Sequence, residues 1–189
     1  MKKIFLIITF VLVLAGTFFT LKMTGNLISN SEKAIIETNF GEIIIEIYPD
    51  KAPITVANFK RYVSEEFYNG TIFHRIIDGF MIQGGGYDSE GNERANYAPI
   101  KLESQNGLSN DKGTIAMART MVPDSATSQF FINTADNDFL NYGVRDEGYA
   151  VFGRVIKGMD VVDRISKIQT DANDFPQEEV DIISIKMLN

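Results

Sequence analysis

Phe73 to Gly86 reads FHRIIDGFMIQGGG and concentrates the residue types that can do chemistry. It holds His74, which is the chain's single histidine, Arg75 beside it, Gln83, and the glycines 84–86. An imidazole can move protons, and a glycine run can cradle phosphate. An arginine and a glutamine among aromatic and aliphatic residues can hold a peptide. The first two chemistries need partners that the sequence does not supply. No G-x-S-x-G surrounds any serine, so His74 has no nucleophile of the hydrolase kind to serve. The glycines lack the G-x-x-x-x-G-K-[ST] pattern and a following helix. They are read as a turn or bulge where another backbone approaches closely, which a bound peptide would also need. A metal centre takes several His, Cys or clustered carboxylates. With one histidine and no cysteine, no metal or cofactor is expected. Asp171, Asp174, Glu178 and Glu179 fit no calcium-loop spacing and read as a solvated loop. Two segments remain rich in arginine, glutamine and aromatics: FHRIIDGFMIQGG and MARTMVPDSATSQFFIN.

Short strands must carry both segments. AIIETNFGEIIIEIY reads as two strands joined at Asn39-Phe40-Gly41. In APITVANFKRYVSEEFY, Val56, Phe59 and Val63 recur at helical spacing, with Thr55 as the cap. TIFHRII, FMIQ, GTIAMAR, SQFFIN and YAVFGRV are strand-like runs between loops containing glycine and asparagine. GMDVVDRISKI gives a second helix with Met159, Val162 and Ile165 on one side. In the closing VDIISIKML, Ile183, Ile185 and Met187 alternate with Ser184 and Lys186, as in a half-buried strand. Many short strands with two helices predict a closed or nearly closed antiparallel barrel whose open ends the helices cover.

The charge is divided. Residues 1–30 contain Lys2, Lys3 and Lys22 and no acid, while the body beyond them carries 15 basic and 25 acidic residues. So acidic a body should repel nucleic acid. Ile4 to Leu21 is an uncharged run between a short basic start and Lys22. It is longer than a usual signal-peptide core and slightly short of a full span. Lys2 and Lys3 favour a cytoplasmic N-terminus and an exported body. The run is read as an uncleaved membrane anchor in preference to a cleaved signal; either one exports the domain. The organisation is then residues 1–22 as signal-anchor or signal peptide, 23–33 as a polar tether, and 34–189 as one domain.

The two segments closely resemble the cyclophilin family of peptidyl-prolyl cis-trans isomerases. FHRIIDGFMIQGG resembles its F-H-R-x-x-x-x-F-x-x-Q-G-G core, and GTIAMARTMVPDSATSQFFI its second signature. FLN at 139–141 and VFGRVIKGMDVVDRI are similar to later blocks, so the resemblance runs from Ala34 to Leu188 and looks bacterial in type. It implies a mainly β fold, an eight-stranded antiparallel closed barrel capped by two α-helices, here preceded by an N-terminal hydrophobic helix. By position it implies Arg75 as the catalytic arginine, and Phe80, Met81, Phe131 and Leu140 as the proline pocket with Phe139 and Tyr149 at its rim. Gln83 and Gln129 would hold substrate and position the arginine, and Ala118 and Arg119 belong to the strand that pairs with the peptide backbone.

Three departures stand out. Phe139 occupies a position where many eukaryotic members carry tryptophan, and this chain has none. The indole donor for cyclosporin is thus missing, and weak binding of that drug is expected. Arg119 replaces a small polar residue, and Tyr149 a histidine. His74 is read as a strand histidine supporting Arg75, not as an acid-base catalyst. The expected partners are proline-containing polypeptides that are exported or membrane-bound, with the chain acting as a monomer. The runner-up is a proline-peptide binding module or holdase with little catalysis.

These residue types suit bond rotation. The peptide C–N barrier is about 18–20 kcal/mol, and no covalent bond need break to cross it. A guanidinium aimed at the prolyl nitrogen gains a hydrogen bond only when the amide twists and its lone pair localises.

Overall fold

The computed structural model describes residues 31–188. The apolar N-terminal run, and the anchor or signal read in it, lie outside the described residues. Among the described residues no helix is long and apolar enough to cross a membrane.

Among the described residues nine strands form one antiparallel sheet, with two α-helices packed on it. β1 (Glu32–Thr38) and β2 (Gly41–Ile47) are the expected hairpin. Ala34, Ile36, Ile43, Ile45 and Ile47 alternate inward and are fully buried. The Thr38 hydroxyl closes the turn by donating to the Gly41 carbonyl at 2.7 Å. α1 (Pro53–Ser64) buries Val56, Phe59, Tyr62 and Val63. Its start corrects one expectation. Thr55 lies within the first turn, and the cap is the remote Glu103, whose carboxylate accepts from the Ile54 and Thr55 amides at 3.0 and 2.8 Å. Pro53 at the helix start has no amide to satisfy.

TIFHRII does not form one strand. It divides into β3 (Thr71–Ile72) and β4 (Arg75–Ile77). The rest of the sheet is β5 (Met81–Gly84), β6 (Thr114–Met117), β7 (Phe130–Asn133), β8 (Val151–Lys157) and β9 (Asp181–Leu188). Their order is β3-β9-β1-β2-β8-β6-β7-β5-β4. Both edges are thus neighbours in the chain, separated only by Phe73 and His74. The sheet curls strongly to allow this, but no ladder joins the edges. Among the described residues the fold is therefore mainly β with the two expected capping helices, but it has nine strands, and the sheet is curled and open instead of an eight-stranded closed barrel. The reason lies in the amides at the seam. Phe73 N–H donates to the Val180 carbonyl and Ile76 N–H to the Asp174 carbonyl, both at 2.9 Å, so neither serves a closing ladder.

β9 departs from its apparent alternation. Ile182 and Ser184 are buried, while Ile183 is 54% exposed. The register against β1 runs Ile185 with Ile36, Ser184 with Glu37, then Ile182 with Thr38, skipping Ile183. This bulge reverses the facing of the residues before it. Ser184 is satisfied by donating to Glu37 Oε2 at 2.6 Å.

The sheet divides two apolar clusters. Phe59, Tyr62, Tyr68, Phe73, Phe130 and Phe152 fill the larger one beneath α1. Met81, Ala116, Phe131, Leu140 and Val151 form the smaller. Along β7, Phe130 and Ile132 go to the first and Phe131 to the second, following the two-residue period of a strand. α2 (Met159–Ile165) contributes Val161, Val162 and Ile165 to the larger cluster.

Candidate active site

The smaller cluster is the floor of a cleft of about 260 Å³. Register builds it. Arg75 on β4 lies opposite Gln83 on β5, Gln83 opposite Phe131 on β7, and Phe131 opposite Ala116 on β6. Residues paired in this way share a face, so one row sets the arginine, the glutamine and the aromatic floor side by side. Met81, two residues from Gln83, joins the same face.

The remaining walls come from loops. Phe80 precedes β5, Phe139 and Leu140 sit on a 3-10 turn, and Tyr149 leads into β8. Three buried asparagines fix them. Asn137 Nδ2 donates to the Phe80 carbonyl at 2.9 Å and to Asn133 Oδ1 at 2.7 Å. Asn110 Nδ2 donates to the Leu140 carbonyl at 3.2 Å. Phe139, 41% exposed, stacks on Phe80 with ring centroids 5.5 Å apart. The Tyr149 ring stands edge-on to Phe131 at 5.6 Å. Arg145, which the sequence reading did not single out, also lines the cleft, and its guanidinium lies 5.5 Å from the Phe139 ring centre.

Ten of the eleven residues expected from sequence line this cleft: Arg75, Phe80, Met81, Gln83, Ala118, Arg119, Phe131, Phe139, Leu140 and Tyr149. Gln129 does not. It sits behind Gln83, whose Nε2 donates to Gln129 Oε1 at 2.8 Å. Gly86 makes room for it, because a Cβ there would lie 2.5 Å from Gln129 Cγ. Gly84 and Gly85 are likewise closed in by the chain itself, against the Ile72 carbonyl and the Tyr68 and Phe130 rings. The close approach expected at 84–86 is therefore made by the protein's own atoms.

Arg119 is turned inward, its side chain 2% exposed. It donates to the Gly148 carbonyl, the Thr120 carbonyl and Asp146 Oδ1 at 2.8, 2.9 and 2.7 Å. Its guanidinium lies 4.6 Å from the Tyr149 ring centre. The side chain is thus a strut between β6 and the loop that carries Tyr149. The Gly148 amide and the neighbouring Arg119 and Arg145 hold the Asp146 carboxyl below the usual carboxylate range.

Arg75 has a partner that the sequence reading placed in a solvated loop. Its Nε donates to Asp174 Oδ2 at 3.1 Å. Asp174 takes a left-handed φ of 64°. A hairpin holds it there. Thr170 bridges to Pro176, and Asp171 Oδ1 accepts from the Asn173 and Phe175 amides at 2.8 and 2.9 Å. Those amides also keep the Asp171 carboxyl below its ordinary value. Asp174 thus grips β4 twice, through its carboxylate to Arg75 and its carbonyl to Ile76.

His74 packs against Tyr87 at 4.6 Å between centroids, and its buried Nδ1 has no hydrogen-bond partner among the described residues. Burial lowers its pKa from 6.5 to about 4; the Ile72 backbone opposes this, the Arg75 charge adds to it to a smaller extent, and Gln129 opposes it least. At pH 7 it is neutral, as a packing residue should be. A stability consequence follows. Between about pH 4 and 6.5 the unfolded chain binds a proton that the folded chain does not, so stability falls as pH drops through that window. Urea unfolding from pH 7 to 4 should show His74→Gln losing less stability than the wild type, by up to roughly 3 kcal/mol. Parallel curves for the two proteins would contradict the assignment.

A curled sheet bearing an arginine at the lip of an aromatic-floored cleft suits non-covalent work on an apolar, extended ligand. Among the described residues no group of His, Cys, Asp or Glu is placed to hold a metal. Comparison with known proteins gives the class a family. Residues 33–187 match the family described as "Cyclophilin type peptidyl-prolyl cis-trans isomerase/CLD". A peptidyl-prolyl cis-trans isomerase of Acinetobacter baylyi is 58% identical over 156 residues, covering 80% of this chain and 83% of that protein. Peptidyl-prolyl cis-trans isomerase B of Escherichia coli K12 is 53% identical over 155 residues, covering 78% and 94%. A crystal structure of a Cryptosporidium parvum cyclophilin type isomerase superposes with a TM-score of 0.72 at 27% identity, covering 84% of this chain and 98% of that one. The same C. parvum protein was also solved in the presence of the dipeptide Ala-Pro, with a TM-score of 0.72 at 28% identity, covering 83% and 99%. The chain belongs to the cyclophilin-type peptidyl-prolyl cis-trans isomerase family and is an enzyme of that kind.

Proposed function

We propose that the chain catalyses rotation about X-Pro bonds of exported or membrane proteins as they fold, with Arg75 stabilising the twisted amide. The observation that carries this reading is the row Arg75, Gln83, Phe131 beside Phe80, Met81 and Leu140. The pyrrolidine ring would lie on Phe131 among Phe80, Met81 and Leu140, with its nitrogen toward the guanidinium. Asp174 occupies Nε, and among the described residues no acceptor takes the Nη1 or Nη2 protons, so these remain for substrate. Gln83, backed by Gln129, would hold the peptide beside the prolyl bond. The Ala-Pro dipeptide used with the C. parvum relative supports a proline-containing ligand.

Magnitudes require several contributions. A 10⁵-fold acceleration needs about 7 kcal/mol. A charge-assisted hydrogen bond contributes about 1.5–3 kcal/mol. Orientation by Gln83 and an apolar pocket that disfavours the more polar planar amide would supply the rest. The test is a protease-coupled assay on a proline peptide, and no rate above the uncatalysed background would sink the proposal. In the same assay, Asp174→Ala should lower kcat by roughly ten- to a hundredfold with a smaller change in KM, because it frees the guanidinium to wander. Asp174→Asn, which keeps an acceptor, should lose less. Unchanged kcat in both variants would remove Asp174 from the machinery.

Phe139 offers a ring but no indole N–H, which supports weak cyclosporin binding. Lys2, Lys3 and the run Ile4 to Leu21 support export with residues 1–22 as an anchor, a tether at 23–33, and a monomeric domain from 34 to 189 outside the cytoplasm. Intact Met1 in the membrane fraction would agree with this; a soluble chain starting near residue 25 would replace the anchor with a cleaved signal.

A further inference from the structure

A second pocket, of about 410 Å³, adjoins the cleft and shares Arg75 and Gln83 with it. Its other walls are His74, Tyr87, Gly91, Gln129, Asn173 and Phe175. We propose that this pocket is a second substrate subsite that takes an apolar, preferably aromatic, side chain from a residue one or two positions from the proline. The proposal rests on the prolyl-isomerase reading of the main cleft.

Four observations carry it. The first is continuity: the side chains of Arg75 and Gln83 line both pockets, so a chain gripped in one passes directly over the other. An extended peptide advances about 3.3–3.6 Å per residue, which keeps a near neighbour of the proline within reach. The second is chemistry. Tyr87 and His74 pack as one aromatic wall at 4.6 Å, and Phe175 presents an apolar ring that is 41% exposed. A half-exposed phenylalanine beside a cleft gains by being covered. The third is charge. The positive charge bordering the pocket, that of Arg75, already has Asp174 as partner, and the remaining walls are uncharged when His74 is neutral. An uncharged side chain fits such a pocket better than an ion.

The fourth observation is rigidity. Phe175 and Asn173 stand on the hairpin that holds Asp174. Its Thr170–Pro176 bridge is joined by bonds from Asp171 N–H to the Phe175 carbonyl and from Gln177 N–H to the Gln169 carbonyl, at 2.9 and 2.8 Å. A preformed pocket loses little ordering entropy when filled. One hairpin therefore serves two ends: Asp174 sets the guanidinium, and Phe175 shapes the subsite next to it.

The test uses a set of proline peptides, with phenylalanine or alanine at each position within two residues of the proline. The readout is the ratio of kcat/KM for the phenylalanine peptide over its alanine counterpart, which cancels any general loss of activity. The wild type should show a ratio of about ten at one position. Phe175→Ala should bring that ratio near one, and Ile156→Ala, an exposed position on β8 that lines neither pocket, should leave it unchanged. A ratio near one at every position in the wild type, or a full ratio in Phe175→Ala, would overturn the subsite. Should no peptide be turned over, the isomerase reading fails by itself. The same ratio measured as affinities by calorimetry then decides the subsite, with the same expected and contrary outcomes.

Discussion

Arg75→Ala is expected to lower kcat/KM on a proline peptide by about 10²–10³-fold, the usual effect of deleting a donor aimed at a transition state. Stability should scarcely change. The Arg75 side chain is 41% exposed and its partner Asp174 38%, so their pair is screened by water and adds little to folding. Arg75→Lys should recover only a small part of the rate. An ammonium keeps the charge but cannot hold Asp174 through Nε while presenting a second, fixed donor to the substrate. Circular dichroism melts alongside the coupled assay separate the two effects. A variant equally impaired in stability and rate would point to a structural arginine.

Phe131→Ala should damage both activity and fold, and its neighbour supplies the control. Phe131 is 3% exposed and fills the cleft floor with Met81, Ala116, Leu140 and Val151. Removing the ring should cost about 3–5 kcal/mol of stability. It should also remove the surface proposed to hold the pyrrolidine, for a loss of roughly thirty- to a hundredfold in kcat/KM. Phe130 is as deeply buried but faces the opposite cluster, against Phe59, Tyr68 and Phe73. Phe130→Ala should destabilise at least as much. Measured well below its melting point, however, it should keep kcat/KM within about threefold of wild type, since the cleft floor is intact. Equal kinetic losses for the two would contradict the division of β7 between two faces.

That division was legible from sequence. SQFFIN reads as a strand, and alternation alone sends adjacent phenylalanines to opposite sides. The F-H-R to Q-G-G motif marks Arg75 and Gln83 as site residues only through the family resemblance; their pairing across β4 and β5 is a matter of register that the two short runs do not announce. Contacts that depend on distant chain were not legible. Asp174 pairs with a residue 99 positions away, and Glu103 caps a helix 48 positions away. In both cases the local pattern shows only an acid in a polar loop. The family resemblance alone matches Arg119 to a substrate-facing position; its long side chain folds back under Tyr149. The closing strand misled for a third reason. A bulge opposite Glu37 and Thr38 inverts the alternation, and no turn residue in VDIISIKML announces it. The open seam between β3 and β4 was hidden for the same reason, since TIFHRII reads as continuous while its amides bond to Val180 and Asp174.

In the proposed mechanism Arg75 lowers the barrier to rotation while contributing little to the grip on the planar peptide. Exchange NMR on a proline peptide at saturating protein measures both at once. For the wild type, cis and trans peaks of the bound peptide should exchange far faster than the uncatalysed tens to hundreds of seconds. Arg75→Ala should bind the peptide with an affinity within a few-fold of wild type and slow the exchange of its bound isomers by about 10²–10³-fold, leaving the smaller acceleration that orientation and the apolar pocket supply. Bound isomers that exchange as fast on Arg75→Ala as on the wild type would contradict the account.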